Sequence, residues 1–176
     1  MDLSYINPYR KYITVYRRSR TIVPDFVEPV TDRSFEDVLR VLELSQKKYD
    51  DFTDEEKTEW NSGLKGALNY TDLNRIEQNL YLLSLVLEVN VEIKSWIQGD
   101  IPTNSDYVRI LNNVEIIRSA YTTYNDTPST PSVPLVTYSK YNDIEKILLD
   151  VYTILLAHFH YYCGELYSGD EIGGLL

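Results

Sequence analysis

Apolar residues recur at steps of three and four along most of the chain beyond residue 34. Leu73, Ile76, Leu80, Leu83 and Leu87 form one such stripe. Tyr107, Ile110, Val114, Ile117 and Tyr121 form a second, and Tyr141, Ile144, Leu148, Val151 and Leu155 a third. This spacing is one face of an α-helix. Start signals precede the stripes: Asp32 or Ser34 before the first helix, Thr53-Asp54-Glu55-Glu56 before the second, and Thr103 with Asp106 before the fourth. Gly63, Gly66, the run Gly99 to Pro102, and Gly164 supply stops. Together they predict helices near 34–49, 53–60, 71–97, 104–121 and 139–163. In the first, Phe35, Val38, Leu39, Leu42 and Gln46 share a face, apolar except at its end. Leu82, Leu85, Val86 and Val89 widen the stripe of the third helix, which puts it at the centre. The expected core is Leu73, Ile76, Leu80, Leu83, Leu87, Ile144, Leu148, Val151 and Leu155. The fold class is all-α, a bundle of about four to five helices.

The N-terminal 30 residues break this pattern. Tyr12-Ile13-Thr14-Val15-Tyr16 is β-prone, and Pro8, Pro24 and Pro29 prevent a long helix. We read residues 1–30 as an extended arm, 31–170 as the helical body and 171–176 as a flexible tail. Three prolines and many small polar residues make 122–137 a loop.

Charge sharpens the division. The formal net charge is −10, yet residues 1–24 hold Arg10, Lys11, Arg17, Arg18 and Arg20 against Asp2 alone. The arm is therefore +4 and the remaining residues −14. An acidic body argues against general nucleic-acid binding, which needs clustered cations to neutralise phosphates. No run approaches the roughly 18 consecutive apolar residues of a membrane span, and the opening MDLSYINPYRKY lacks the order of a signal peptide. One cysteine, Cys163, allows no internal disulfide and suits a reducing compartment. Sixteen tyrosines suit either interfaces or an aromatic-rich helical core.

Candidate chemistry is sparse. His158 and His160 lie two apart on a helix and point away from each other, and His160 with Cys163 gives two ligands rather than a zinc site. Aromatic helix packing explains that stretch better. The carboxylates Asp50, Asp51, Asp54, Glu55 and Glu56 lack the alternation and central glycine of a calcium loop and read as a solvated helix start. No phosphate loop, nucleophile elbow or paired-carboxylate signal appears. The expectation is no catalytic residue, no cofactor and no metal.

Residues 70–87 (YTDLNRIEQNLYLLSLVL) and 138–155 (YSKYNDIEKILLDVYTIL) share six identities. Helical periodicity accounts for the apolar matches but not for Asn74 with Asn142 or Glu77 with Glu145. A pseudo-twofold pair of helices is one reading. Each Asn and Glu, three apart on one face, is expected near a helix start, bonding backbone of neighbouring turns or loops rather than a ligand.

Residues 60–77 (WNSGLKGALNYTDLNRIE), 100–103 (DIPT), 142–148 (NDIEKIL) and 164–169 (GELYSG) carry a further signal. In this order and spacing they resemble a helical module of structural proteins encoded by phages and prophages of Firmicutes, clostridia especially, over roughly residues 30–170. The resemblance implies a tail-associated virion component without catalysis, made in the bacterial host's cytoplasm. Its partners would be other tail or baseplate proteins and further copies of itself, with no nucleic acid and no membrane. The arm lies outside the shared segments. Its basic and aromatic residues, Tyr12, Tyr16, Arg17, Arg18 and Arg20, are our candidates for partner contact. An assembly adaptor or chaperone and a receptor- or carbohydrate-binding tip protein are the alternatives.

Overall fold

The computed structural model describes residues 26–163, with side chains as far as residue 158. Its helices are α1 (Phe35–Ser45), α2 (Asp54–Ser62), α3 (Tyr70–Leu87), α4 (Asn104–Ala120) and α5 (Tyr138–Cys163), with a 3₁₀ turn at Tyr49–Asp51. No strand occurs among the described residues. The described residues are all-α, as the stripes predict.

The first four helices each start on a reciprocal capping box. Ser34 pairs with Asp37, Thr53 with Glu56, Asn69 with Asp72 and Thr103 with Asp106. Each satisfies two backbone N–H groups that the first turn leaves unpaired. Helices α3, α4 and α5 pack on one another and enclose the core. Leu73, Ile76, Leu80, Leu83, Ile144, Leu148, Val151 and Leu155 are all buried there, while Leu87 is half-buried at its edge.

One expectation needs correction, and one apolar face is unlike the rest. The third helix does not run to residue 97. It stops at Leu87, where Glu88 adopts a left-handed conformation (φ 55°) and donates its N–H to the Ser84 carbonyl. Residues 89–97 then run without helix, because side chains of α3 and α4 capture their backbone at Glu92 and Trp96. The apolar spacing continues past 87, so the pattern alone cannot mark this end. The stripe of α1 is likewise turned the other way from a core stripe. Leu44 is its buried residue, whereas Phe35, Leu39 and Leu42 are 56%, 47% and 51% exposed.

Helices α1 and α2 form a peripheral hairpin beside the three-helix core. Arg40 meets Glu59 at 2.7 Å, Lys47 meets Glu56 at 2.5 Å, and Phe52 packs edge-on against Trp60. The hairpin is seated through Gly66. A Cβ there would lie 2.2 Å from the Asp37 carbonyl oxygen in the first turn of α1. Backbone, not a flexible side chain, occupies that space. Gly66→Ala is therefore expected to displace the hairpin at a cost of about 1–3 kcal/mol, the usual range for overpacking. A lower urea midpoint with retained helicity checks this; an unchanged midpoint contradicts the close approach.

Candidate functional site

The polar residues that the sequence singles out converge on two lengths of extended chain. An asparagine side chain sets an N–H donor beside a carbonyl acceptor, as a peptide group does, and can pair with a backbone residue as a neighbouring strand would. Asn74 does this to Trp96, accepting from its N–H at 2.9 Å and donating to its carbonyl at 2.8 Å. Asn142 does the same to Arg33, at 3.1 Å and 2.8 Å. The expectation that both serve neighbouring backbone holds. Two further asparagines, not foreseen, complete the scheme. Asn79 brackets Val27 at 2.9 Å and 2.8 Å, and Asn113 brackets Glu92 at 3.3 Å and 2.6 Å.

Of the glutamates, Glu145 meets backbone and side chains, whereas Glu77 meets side chains in place of the backbone expected of it. Glu77 accepts from the Trp96 indole at 3.2 Å and pairs with Arg109. Glu145 accepts from the Val30 N–H at 2.8 Å, from Arg33 at 2.7 Å and from Arg75 at 2.8 Å. Asp72 closes this second cluster, meeting Arg33 at 3.2 Å and Arg75 at 2.6 Å. Both Arg33 and Glu145 are almost wholly buried, so each charge depends on the other groups for solvation. Burial alone would weaken the Arg75 cation. The carboxylates of Glu145 and Asp72 outweigh it and hold the Arg75 pKa above the ordinary arginine value. Glu77 likewise raises that of Arg109 by hydrogen bonding.

The two sets share one plan. In each, an Asn-x-x-Glu helix faces an Arg-x-x-x-Asn helix, and an extended segment lies between them. Helices α5 (Asn142, Glu145) and α3 (Arg75, Asn79) hold residues 27–33. Helices α3 (Asn74, Glu77) and α4 (Arg109, Asn113) hold residues 92–96. Helix α3 carries both motifs and serves both grooves. The sequence held this signal: α3, α4 and α5 begin at Tyr70, Asn104 and Tyr138, 34 residues apart each time. Asp72-x-x-Arg75-Ile76-x-x-Asn79 recurs as Asp106-x-x-Arg109-Ile110-x-x-Asn113. Comparing only the third and fifth helices misses it. The connection from α4 to α5 is fastened differently, with Thr127 donating to Asp150 at 2.7 Å and Arg118 to the Pro128 carbonyl at 3.0 Å.

Most of these groups meet one another, but two open recesses border them: Arg109 and Asn113 help to line one of about 520 Å³ beside Glu92, and Arg33 one of about 470 Å³ beside Tyr141. Every buried side-chain nitrogen or oxygen among the described residues has a hydrogen-bond partner. No group of three His, Cys, Asp or Glu among them is placed to hold a metal ion. His158 bonds through Nδ1 to the Tyr121 hydroxyl at 2.5 Å; the side chains of His160 and Cys163 lie outside the described residues. In the carboxylate run 50–56, Glu56 is taken up by Lys47 and the Thr53 cap. No described helix is long and apolar enough to cross a membrane. The predicted contact residues Tyr12, Tyr16, Arg17, Arg18 and Arg20 all lie outside the described residues, as does the tail 171–176.

Residues 26–30, assigned above to the arm, are part of the body. Phe26 stacks on Tyr152 with ring centroids 4.0 Å apart, and Val27 and Val30 are held by Asn79 and Glu145. The body thus begins no later than residue 26, and the rest of the expected arm, residues 1–25, lies outside the described residues.

Surface carboxylates give the body an acid-sensitive side. Thr103 hydrogen bonds, with a smaller contribution from Lys94, hold Asp106 at about 2 against an ordinary 3.8. Glu56 is lowered by Lys47 and the Thr53 N–H, Glu59 by Arg40, and Glu115 by Thr130 and Ser119. A carboxylate whose folded pKa lies below its unfolded value stabilises the fold above the unfolded pKa, and the contribution is lost as pH falls through the folded one. Stability is therefore expected to decline from about pH 5 toward pH 2, within the carboxylate range. Glu115 is exposed and Glu59 and Asp106 are half-buried, so solvent screens their contributions, whereas Glu56 is buried against Lys47. Urea midpoints across that range check the sign; a midpoint that rises on acidification contradicts it.

Set against family models, curated proteins and solved structures, the chain finds no match in any of the three comparisons.

Proposed function

We propose that the protein is a non-enzymatic structural subunit of a phage tail, at the baseplate or where fibres attach, joined to its neighbours through the basic N-terminal arm. The observation that carries this reading is the root of the arm. Residues 26–33 are fastened at Phe26, Val27, Val30 and Arg33 to two core helices, α3 and α5. A rigid root transmits load from an arm to a body and restricts where the arm can start its search for a partner. The charge contrast, +4 on residues 1–24 against −14 elsewhere, supports docking of the arm on an acidic neighbour. The segments resembling phage structural proteins supply the setting, and the buried polar groups, turned inward on the chain's own backbone, suit a scaffold.

Mass spectrometry of purified particles tests the reading, combined with a variant lacking residues 2–24. The full chain is expected in the particle at structural stoichiometry. The truncated chain should unfold cooperatively like the full one and fail to incorporate. Absence of the full chain from finished particles would favour an assembly adaptor instead.

A further inference from the structure

Helix α1 is amphipathic, but nothing among the described residues covers its apolar stripe. Phe35, Leu39 and Leu42 fall at i, i+4 and i+7, all about half exposed, while Leu44 on the other side is fully buried. Three large apolar side chains in one exposed row mark an interaction surface more than a solvated face. The surroundings are acidic. Residues 32–62 hold ten Asp and Glu against five Lys and Arg, a net −5. Of those cations, Arg33, Arg40 and Lys47 already serve carboxylates of the same chain.

What fits is an extended or amphipathic segment that is apolar on alternate positions and positively charged. The chain contains one. Tyr12, Thr14 and Tyr16 alternate with Ile13 and Val15, and Arg17, Arg18 and Arg20 follow directly. A second α1 fits less well, because pairing two such faces would bring Glu36 and Glu43 of each copy together across one seam. The direction in which the chain reaches its root also matters. Arg33 lies beside the start of α1, whereas Val27 is held at Asn79, seven residues further along α3 than Asp72, roughly 10 Å at 1.5 Å per residue. Going back along the chain from α1, residues 33 to 26 follow α3 and end against Tyr152 of α5, so the chain before residue 26 sets out from those two helices rather than from α1.

We propose that the outward stripe of α1 is the docking surface for residues 12–20 of a second copy of this chain, so that copies join head to tail. This deepens the reading of the arm as an anchor by naming the surface that receives it, and its test requires no particle. Phe35, Leu39 and Leu42 receive one face of the segment, Ile13 and Val15, and the acidic rim meets Arg17, Arg18 and Arg20. Such a contact is heterologous, with different surfaces on the two partners, and closes into a ring or extends as a filament.

Two full-length variants decide the matter. One carries Leu39→Glu and Leu42→Glu on the exposed stripe; the other carries Arg17→Glu, Arg18→Glu and Arg20→Glu. Circular dichroism and urea unfolding should show both folded like the unaltered chain. In sedimentation velocity the unaltered chain should associate with rising concentration, and each variant alone should remain monomeric. Mixed, the two variants should form a one-to-one complex, because one supplies an intact arm and the other an intact stripe. An unaltered chain that stays monomeric throughout, the result if each arm covers its own stripe, overturns the proposal. So does an arm variant that still dimerises, the result if two α1 faces pair, and so does a mixture that gives no complex.

Discussion

Glu145→Ala is expected to lower the stability of the protein by about 3–5 kcal/mol, the range for removing one partner from a buried ion cluster. The loss has a specific anatomy. Glu145 is almost wholly buried and accepts from the Val30 N–H, from Arg33 and from Arg75. Without it two guanidinium groups share only Asp72, one of them from a side chain just 4% exposed. The substitution also releases the middle of the segment that roots the arm. Chemical denaturation measures the stability. A double-mutant cycle with Arg75→Ala should be strongly non-additive, because the second substitution removes a charge that the first has already left unpaired. An independent sum of the two losses would mean that the cluster does not act as a unit.

Leu80→Ala comes next, with an expected cost of about 2–5 kcal/mol. Leu80 is fully buried within the cluster shared by α3, α4 and α5. Its neighbours on that face, Ile76 and Leu83, are equally buried, and the other two helices close over it, so the site cannot collapse to refill the space. The truncated side chain loses its transfer free energy and leaves a cavity besides. The same substitution at Leu39, on the outward stripe of α1, should change stability by only a few tenths of a kcal/mol, as for an exposed position. Equal losses at the two sites would contradict the orientation of α1 described above.

The three core helices are legible in the sequence because their stripes repeat for about four turns, and α4 also has an explicit cap at Thr103 with Asp106. Most of the core could be named from spacing alone. The end of α3 could not. Leu85, Val86, Leu87, Val89 and Val91 continue an apolar run through the stop, and what ends the helix is the capture of residues 92–96 by Asn74 and Asn113. Tertiary hydrogen bonding there overrides local pattern. Periodicity shows that α1 has an apolar face but not whether that face turns inward, since the answer rests on Gly66 and Leu44 seating the opposite side. The proposed contact surface is legible only as composition, a basic tyrosine-rich N-terminal segment and an acidic remainder. The likeness of the two grooves, one holding residues 27–33 and the other 92–96, was written in the sequence as a 34-residue spacing of Asp, Arg and Asn. That signal is visible once α4 is compared with α3.

The central claim is that side chains of the helical core hold residues 26–33 as firmly as a helix holds its own backbone. Amide hydrogen exchange on the full-length chain measures this residue by residue. The N–H groups of Val27, Val30 and Arg33 belong to no helix, and each donates to a carboxamide or carboxylate of α3 or α5. They should exchange slowly, with protection approaching that of Leu80 and Leu148, because releasing them requires the core helices to part. The Glu145→Ala variant should lose protection at Val30 and Arg33 before it does so in α4. Exchange of Val27, Val30 and Arg33 at the rate of an unstructured chain, with the core helices still protected, would contradict a fixed root for the arm.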